Sequence, residues 1–256
     1  MLTALEAILL GIIQGLTEFL PISSSGHLVI AQALLGIEEP MLTFDILVHL
    51  GTLTAVFVVF WQDIKAIILR PWCKTTALLA VGTVPAVVLG LLLDDLFTAM
   101  FSSLVFVALA LVLTGLLLRF SDGFHGRRRL EDMNLGGALL IGLFQGLAIM
   151  PGLSRSGSTI FGALLTGLRR DEAARFSFLL SIPVILGAAA KQVLGAGAGG
   201  LQLHGAYLLG AAVAGLCGYL AIRIFLRLLA QKSLRYFSYY CWAVAAAVLI
   251  SQLLIS

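Results

Sequence analysis

Three ionisable side chains, Glu18, His27 and Arg155, lie in stretches of sequence that are otherwise apolar. If those stretches are in a membrane, each charge costs from a few to more than about ten kcal/mol, so an ionisable residue there indicates a functional site with a partner. Glu18 and Arg155 carry opposite charges and can serve each other as partners. We therefore take these three residues as the centre of a candidate catalytic site.

Glu18 is placed so that its carboxylate can point into a turn. Gln14 and Glu18 are four residues apart, so a helix puts both on one face. Pro21 ends that helix three residues later. The alternative is that Glu18 is a buried acid that only ties helices together.

Arg155 has the side chain best suited to hold phosphate, because its planar guanidinium can donate two parallel hydrogen bonds. It is followed by small and hydroxyl residues that enter a new helix, where free backbone N–H groups favour an anion. The alternative is that Arg155 is only the counter-ion of Glu18. Against it stands the density of hydroxyl side chains around both charges: Ser23, Ser24, Ser25, Ser154, Ser156, Ser158 and Thr159.

Histidine offers a proton donor or acceptor near neutral pH, and His27 directly follows the first group of serines. The alternative for His27 is a structural hydrogen bond. His49, His125 and His204 have no companion ligands in the sequence, and Asp45 is a single acid, so none of these four is assigned a role. No zinc-ligand spacing, Walker loop or dinucleotide fingerprint occurs, so the chemistry is expected from the two serine-rich turns.

The elements that position these residues are predicted to lie in a membrane. Of the 256 residues, 60% are hydrophobic and 11% charged, against about 45–50% and about 25% in soluble domains. Six apolar runs reach the length of about 20 residues that a membrane crossing needs. They are Leu42 to Trp61, Ala77 to Leu93, Met100 to Leu118, Phe176 to Leu194, Tyr207 to Leu226 and Tyr236 to Leu254. We predict one membrane domain over residues 1–256, without a metal or disulfide role for its three cysteines.

Two further apolar stretches, Leu2 to Leu35 and Leu135 to Leu168, are interrupted in the middle by Pro, Gly and Ser. Irregular backbone at membrane depth is tolerated only inside protein or beside a wet cavity, so both are predicted to be re-entrant helical hairpins. They also form an internal repeat at a constant offset: Gly11, Gln14, Gly15, Leu16, Ser23, Ser25 and Gly26 recur as Gly142, Gln145, Gly146, Leu147, Ser154, Ser156 and Gly157.

The predicted fold class is an all-α polytopic membrane protein with six transmembrane helices and two re-entrant hairpins. Three spans and one hairpin in each repeat, over residues 1–130 and 131–256, make the second copy inverted relative to the first. This topology places nearly all basic residues on one side, which the positive-inside rule identifies as the cytoplasm, with both termini outside. Those residues are Lys65, Arg70, Lys74, Arg119, Arg127 to Arg129, Arg169, Arg170, Arg175, Arg223, Arg227, Lys232 and Arg235. The net charge of +3 then follows from topology and indicates no nucleic-acid partner.

The segment from Gln14 to His27, QGLTEFLPISSSGH, resembles the glutamate-rich signature of the undecaprenyl-diphosphate phosphatase family, also called bacitracin-resistance proteins. The segment from Pro151 to Thr159, PGLSRSGST, is similar to its second signature, and the likeness extends over essentially the whole chain. The first acidic position of the signature, often Glu, is Gln14 here, so Gln14 cannot supply charge to a metal.

The resemblance implies a bacterial inner-membrane enzyme that hydrolyses undecaprenyl diphosphate to the monophosphate with a divalent cation, Mg²⁺ or Ca²⁺. It implies an active site open to the extracytoplasmic side, recycling of the carrier lipid for peptidoglycan, and bacitracin resistance. A homodimer stays an open alternative. A transporter of the polyprenyl phosphate is the rival function, because inverted repeats with broken helices also build secondary carriers; a purely structural protein is the third.

The mechanism expected from these residues places Glu18 on the metal and Arg155 on the diphosphate. Ser154, Ser156 and Thr159 would cradle the remaining oxygens, with Gln14, Ser23 and Ser25 as further substrate-binding residues. His27 would relay a proton. Ser24 is the candidate nucleophile, and water is its rival.

Overall fold

The described part of the chain is entirely helical. The structure, a computed structural model, describes residues 2–37, 41–124, 126–195, 204–231 and 233–255, so His125 and Lys232 lie outside it. These residues contain no β-strand and form a 3-10 helix, Leu130–Asp132, and twelve α-helices. The α-helices are α1 Ala4–Phe19, α2 Ser24–Leu34, α3 Leu42–Val59, α4 Trp61–Leu69, α5 Lys74–Leu92, α6 Asp94–Phe101, α7 Leu104–Ser121, α8 Leu135–Leu147, α9 Arg155–Leu165, α10 Arg170–Gly195, α11 Gly205–Gln231 and α12 Arg235–Ile255.

Six of these helices, α3, α5, α7, α10, α11 and α12, are long and apolar enough to cross a membrane. They correspond to the six predicted runs, so the prediction of six candidate spans is confirmed. Most boundaries differ by a few residues, for example at the starts of α7 and α10. Helix α7 begins at Leu104 rather than Met100, because the Ser103 hydroxyl accepts the Phe106 N–H at 3.3 Å and caps a new helix there. Helix α10 extends back to Arg170 and has 26 residues.

The two interrupted stretches each fold as a pair of short helices, α1 with α2 and α8 with α9. Helix α1 is the longest of the four, with 16 residues, and spans about 24 Å at about 1.5 Å per residue, short of a hydrocarbon core of about 30 Å. The first helices of the two pairs have caps at equivalent positions. The Thr3 hydroxyl accepts the Glu6 N–H at 3.3 Å, and Asn134 Oδ1 accepts the Gly137 N–H at 2.8 Å.

Each broken pair packs against a spanning helix from the other half of the chain. Helix α1 packs most extensively against α11, and α8 against α5. A Cβ atom on Gly11 would collide with the carbonyl of Gly210, and one on Gly142 with the carbonyl of Gly82. Only glycine permits these approaches, which explains why the repeat retains it at both positions. Helix α11 also packs against α3, and α7 against α12.

The basic loops meet at one end of the bundle. Lys74 Nζ donates to the Glu131 carbonyl at 2.5 Å, and Arg170 lies 3.3 Å from Asp122. Arg128 donates its N–H to the Gly167 carbonyl at 3.0 Å, joining the chain just before α8 to the chain just after α9. At the opposite end of α5 and α10, Lys191 Nζ lies 2.5 Å from Asp94.

Candidate functional site

The turns of the two broken pairs touch each other inside the bundle. We call residues 20–27 tip one and residues 151–158 tip two. A Cβ on Gly26 would lie 2.9 Å from the Cα of Gly152, so the two backbones are nearly in contact. The Ser156 hydroxyl, in addition, donates to the Leu20 carbonyl at 3.2 Å. The two motifs that the sequence analysis selected therefore form one site.

Tip one is shaped by Ser23. Its φ of 71° is the only positive value at a non-glycine residue in the described ranges. In this conformation the Ser23 hydroxyl accepts the Gly26 N–H at 3.3 Å and caps α2, whose first residue is Ser24. The left-handed backbone at Ser23 thus turns the chain sharply after Pro21 and directs Ser24 back toward α1.

Tip two has a matching cap and an additional clamp. The Ser154 hydroxyl accepts the Gly157 N–H at 3.1 Å and caps α9, whose first residue is Arg155. The Thr114 hydroxyl, on α7, donates to the Gly152 carbonyl at 2.9 Å and accepts the Ser154 N–H at 2.9 Å. Thr114 therefore holds both sides of the turn, where Gly152 has a φ of 92° that disfavours any side chain.

Glu18 lies at the centre of the site, with 5% of its side chain exposed. Oε1 forms an ion pair with Arg155. Oε2 accepts the Ser24 hydroxyl at 2.6 Å and Gln14 Nε2 at 3.0 Å. Ser24 and Arg155 are each the first residue of a helix, so the positive ends of two helix dipoles also converge on this carboxylate. The acid and the guanidinium that the sequence analysis selected are thus in direct contact.

The sequence analysis found no companion for His49 and assigned it no role, but the structure places it next to Glu18. Its Nε2 lies 3.6 Å from Glu18 Oε2, and its Nδ1 lies 2.7 Å from the Asp45 carbonyl in the preceding turn of α3. The side chain of Asp45 accepts Gln32 Nε2 at 3.3 Å. The sequence contained the necessary signal, because His49 is an ionisable residue inside an apolar run, the same criterion that selected Glu18.

The other predicted residues lie around this centre with partners of their own. Among the described residues, the His27 side chain makes no hydrogen bond to Glu18, Ser24 or Arg155; its Nδ1 lies 2.7 Å from the Ser23 carbonyl and its Nε2 lies 2.9 Å from the Tyr240 hydroxyl. Hydroxyl pairs join Ser25 to Ser23, Ser156 to Ser154, and Thr159 to Ser177 on α10, at 3.3, 3.2 and 2.6 Å. The Ser158 hydroxyl is buried without a hydrogen-bond partner in the described ranges.

Three buried polar positions bear on ligand binding. Within the described residues, no group of three or more His, Cys, Asp or Glu side chains could hold a metal ion. However, Gln14 Oε1 is buried without a hydrogen-bond partner among those residues, while Nε2 of the same amide donates to Glu18. An amide oxygen and a carboxylate oxygen are both ligands suited to a hard divalent cation, which takes its remaining ligands from phosphate and water. Arg155 Nη1 is likewise buried and unpaired there, so a donor remains for an anion.

The chain is similar to known proteins over nearly its whole length. A family model described as "Bacitracin resistance protein BacA" matches residues 7–247. The undecaprenyl-diphosphatase of Carboxydothermus hydrogenoformans is 43% identical, over 98% of this chain and 98% of its own length. That of Halothermothrix orenii is 45% identical, over 96% of each chain, and that of Alkaliphilus metalliredigens is 43% identical, over 99% of this chain and all of its own.

The buried ion pair predicts a non-additive effect on stability. Glu18→Gln or Arg155→Met alone leaves one charge buried without its partner and is expected to lower the free energy of unfolding by about 3–5 kcal/mol. The double variant removes both charges and should recover most of that loss. Denaturant unfolding in detergent measures all three. Glu131→Gln, in the exposed pair with Arg129, is the control and should change stability by less than about 1 kcal/mol. Additive losses in the double variant would contradict the pairing.

Proposed function

The chain belongs to the BacA family of bacitracin resistance proteins, and we propose that it is an undecaprenyl-diphosphate phosphatase. It hydrolyses undecaprenyl diphosphate to undecaprenyl phosphate and inorganic phosphate, which recycles the carrier lipid for peptidoglycan synthesis and confers bacitracin resistance. The observation that carries the proposal is the Glu18 carboxylate held between Arg155 and Ser24. A transporter is not favoured, because the relatives are named for the diphosphatase activity.

The proposed architecture is an inverted repeat in which each broken pair is a re-entrant hairpin. Helices α2 and α9 occupy equivalent positions in the two repeats. The contact of Gly26 with Gly152 has its counterpart, at the same offset, in a Cβ on Gly157 that would lie 3.4 Å from Pro21 Cβ. The hydrogen bond between Arg128 and Gly167 keeps the two ends of the second pair together, as a re-entrant segment requires.

The basic end of the bundle is proposed to face the cytoplasm. The segments that meet there carry most of the Lys and Arg residues; Arg175 pairs with Asp63 on α4, and Arg170 pairs with Asp122 at the end of α7. Tip one then enters from the extracytoplasmic face, and both termini lie on that face. That the substrate site opens to the same face is what membership of the family implies.

Labelling of single cysteines tests the orientation. A chain with its native cysteines replaced by serine would carry either Trp72→Cys, 98% exposed at the basic end, or Asp95→Cys at the opposite end. We expect a membrane-impermeant maleimide to label only Asp95→Cys in intact bacteria and to label both after permeabilisation. Labelling of Trp72→Cys from outside would overturn the proposed orientation.

The chemistry requires a nucleophile in line with the terminal phosphorus and donors for its oxygens. We assign the attack to Ser24, whose hydroxyl already donates to Glu18 Oε2 at 2.6 Å. Glu18 accepts the proton as the Ser24 oxygen bonds to phosphorus, and the bond to the bridging oxygen breaks to release undecaprenyl phosphate. Water then attacks the phosphoserine, Ser24 recovers its proton from Glu18, and inorganic phosphate leaves.

Arg155 and the first N–H groups of α9 hold the reacting phosphate, and nearby hydroxyls support that helix end. Arg155 Nη1 has no hydrogen-bond partner among the described residues and is free to donate to a terminal oxygen. The first N–H groups of α9 add neutral donors. Ser154, Ser156 and Thr159 keep that helix end in place through their own hydrogen bonds. Because all these groups come from one chain, the site requires no second copy.

Gln14 Oε1 and the Glu18 carboxylate would hold the divalent cation, Mg²⁺ or Ca²⁺, which neutralises charge on the diphosphate oxygens. The proposal is supported by the unpaired amide oxygen of Gln14, a residue whose amide nitrogen already contacts the acid. His27 is retained as a site residue in tip one. It hydrogen-bonds the Ser23 carbonyl, and the next residue, Ser24, contacts the Glu18 carboxylate.

Phosphate release from purified protein tests the function. In detergent with undecaprenyl diphosphate and Mg²⁺ we expect wild-type turnover, loss of activity with EDTA, and recovery on adding Mg²⁺ or Ca²⁺. Arg155→Lys keeps the charge but loses the planar fork, and should lower kcat by about a hundredfold or more. Arg129→Gln, at the exposed pair, should leave kcat unchanged. Absence of phosphate release by folded wild-type protein would remove the assignment, and undiminished activity of Arg155→Lys would remove the proposed clamp.

The nucleophile is tested by trapping. With substrate labelled in its terminal phosphate, acid quenching during turnover should leave label on the peptide that contains Ser24. Ser24→Ala should abolish that label and lower kcat by several orders of magnitude, whereas Ser102→Ala, at an exposed loop, changes neither. Substantial turnover by Ser24→Ala would identify direct attack by water.

A further inference from the structure

Tyr240 connects a distant spanning helix to tip one. It lies on α12, and its hydroxyl is 2.9 Å from Nε2 of His27, 213 residues away in the sequence. The two rings are nearly parallel, with an interplanar angle of 6° and centroids 5.6 Å apart. The next residue, Cys241, has its sulfur 3.9 Å from the Pro21 carbonyl, so this turn of α12 lies against the tip.

The direction of these hydrogen bonds follows from the partner atoms. A carbonyl oxygen only accepts, so the bond at 2.7 Å to the Ser23 carbonyl requires the hydrogen on His27 Nδ1. In the neutral ring Nε2 then carries a lone pair, and the Tyr240 hydroxyl donates to it. Both nitrogens of His27 are therefore occupied, and neither contacts Glu18 or Ser24 in the described structure.

The carbonyl that His27 holds belongs to the residue with the least favourable backbone. Ser23 has a φ of 71°, a region that residues with a Cβ rarely adopt. Such a conformation persists only when its surroundings hold it. The Ser23 carbonyl accepts both the His27 backbone N–H at 3.2 Å and the imidazole N–H. Ser24 follows directly, so the orientation of this peptide determines whether the Ser24 hydroxyl reaches Glu18.

We propose that Tyr240 is a positioning residue for the hydrolysis. Through His27 it holds the Ser23 carbonyl, and thereby keeps the Ser24 hydroxyl on the Glu18 carboxylate. This inference rests on the proposed function and extends it to a residue on α12. It also gives His27 a role in orienting the turn, with the proton of Ser24 going to Glu18.

The first experiment removes only the Tyr240 hydroxyl. Tyr240→Phe should lower kcat roughly tenfold, because one neutral hydrogen bond is lost and the nucleophile is less well ordered. KM and the midpoint of thermal unfolding should change little, since neither the phosphate donors nor the packing is altered. Tyr239→Phe is the matched control, because Tyr239 is the preceding residue and packs against Trp242 instead. A kcat for Tyr240→Phe equal to that of the control would overturn the proposal.

The second experiment separates orientation from proton transfer at His27. Asparagine places an amide N–H where Nδ1 lies and can still donate to the Ser23 carbonyl, whereas glutamine places its amide near Nε2. We expect His27→Asn to retain a kcat at least about tenfold above that of His27→Gln. Tyr240→Phe should cause no further loss in the His27→Asn background, because the link to Tyr240 is already absent. Equal activities of the two His27 variants, or a full additional loss from Tyr240→Phe, would contradict the positioning role.

The outcomes distinguish this inference from the proposed function. If folded wild-type protein releases no phosphate from undecaprenyl diphosphate, the function itself fails. If the wild type is active and Tyr240→Phe matches Tyr239→Phe, only the role of Tyr240 fails.

Discussion

The contact between the Glu18 carboxylate and the Arg155 guanidinium is the interaction on which the rest of the site depends. The Glu18 side chain is buried and that of Arg155 is mostly covered, and neither charge is well tolerated alone in surroundings of low polarity. The residues are 137 positions apart, so satisfying them requires the two tips to meet. Once they meet, Ser24 and Gln14 reach the same carboxylate, so a structural requirement for charge pairing also assembles the groups of the proposed site.

The close approach of the tips depends on small residues and on the way each turn satisfies its own backbone. Gly26 and Gly152 allow the backbones of the two tips to come almost into contact. Ser23 and Ser154 cap the helices that leave the tips, which uses one N–H of each helix and leaves others for a ligand. The first residues of these helices are Ser24 and Arg155, so the two helix dipoles favour an anion at the same point.

The predictions from sequence succeeded where a single segment contains all the information. Hydropathy over about 20 residues located the six candidate spans, and Pro, Gly and Ser located the breaks in the other two stretches. They were incomplete where a contact joins distant segments. His49 was passed over although it is an ionisable residue inside an apolar run; its contact with Glu18, on another helix, became visible only in the fold. Thr114 and Tyr240 gave no local signal, since a single Thr or Tyr in a spanning helix is compatible with lipid or with packing.

The sequence by itself determined the membrane class, the two broken stretches, the candidate residues for phosphate binding, and the family. These follow from composition, periodicity and motif, which are properties of neighbouring residues. The tertiary structure decided which atoms meet. Ser24 and Arg155 contact different oxygens of the Glu18 carboxylate, and His49 lies close to the oxygen that Ser24 contacts. His27 hydrogen-bonds Ser23 and Tyr240. These contacts depend on helix packing and on the turn at Ser23. Differences of a few tenths of an ångström in the distance between segments far apart in sequence cannot be read from neighbouring residues.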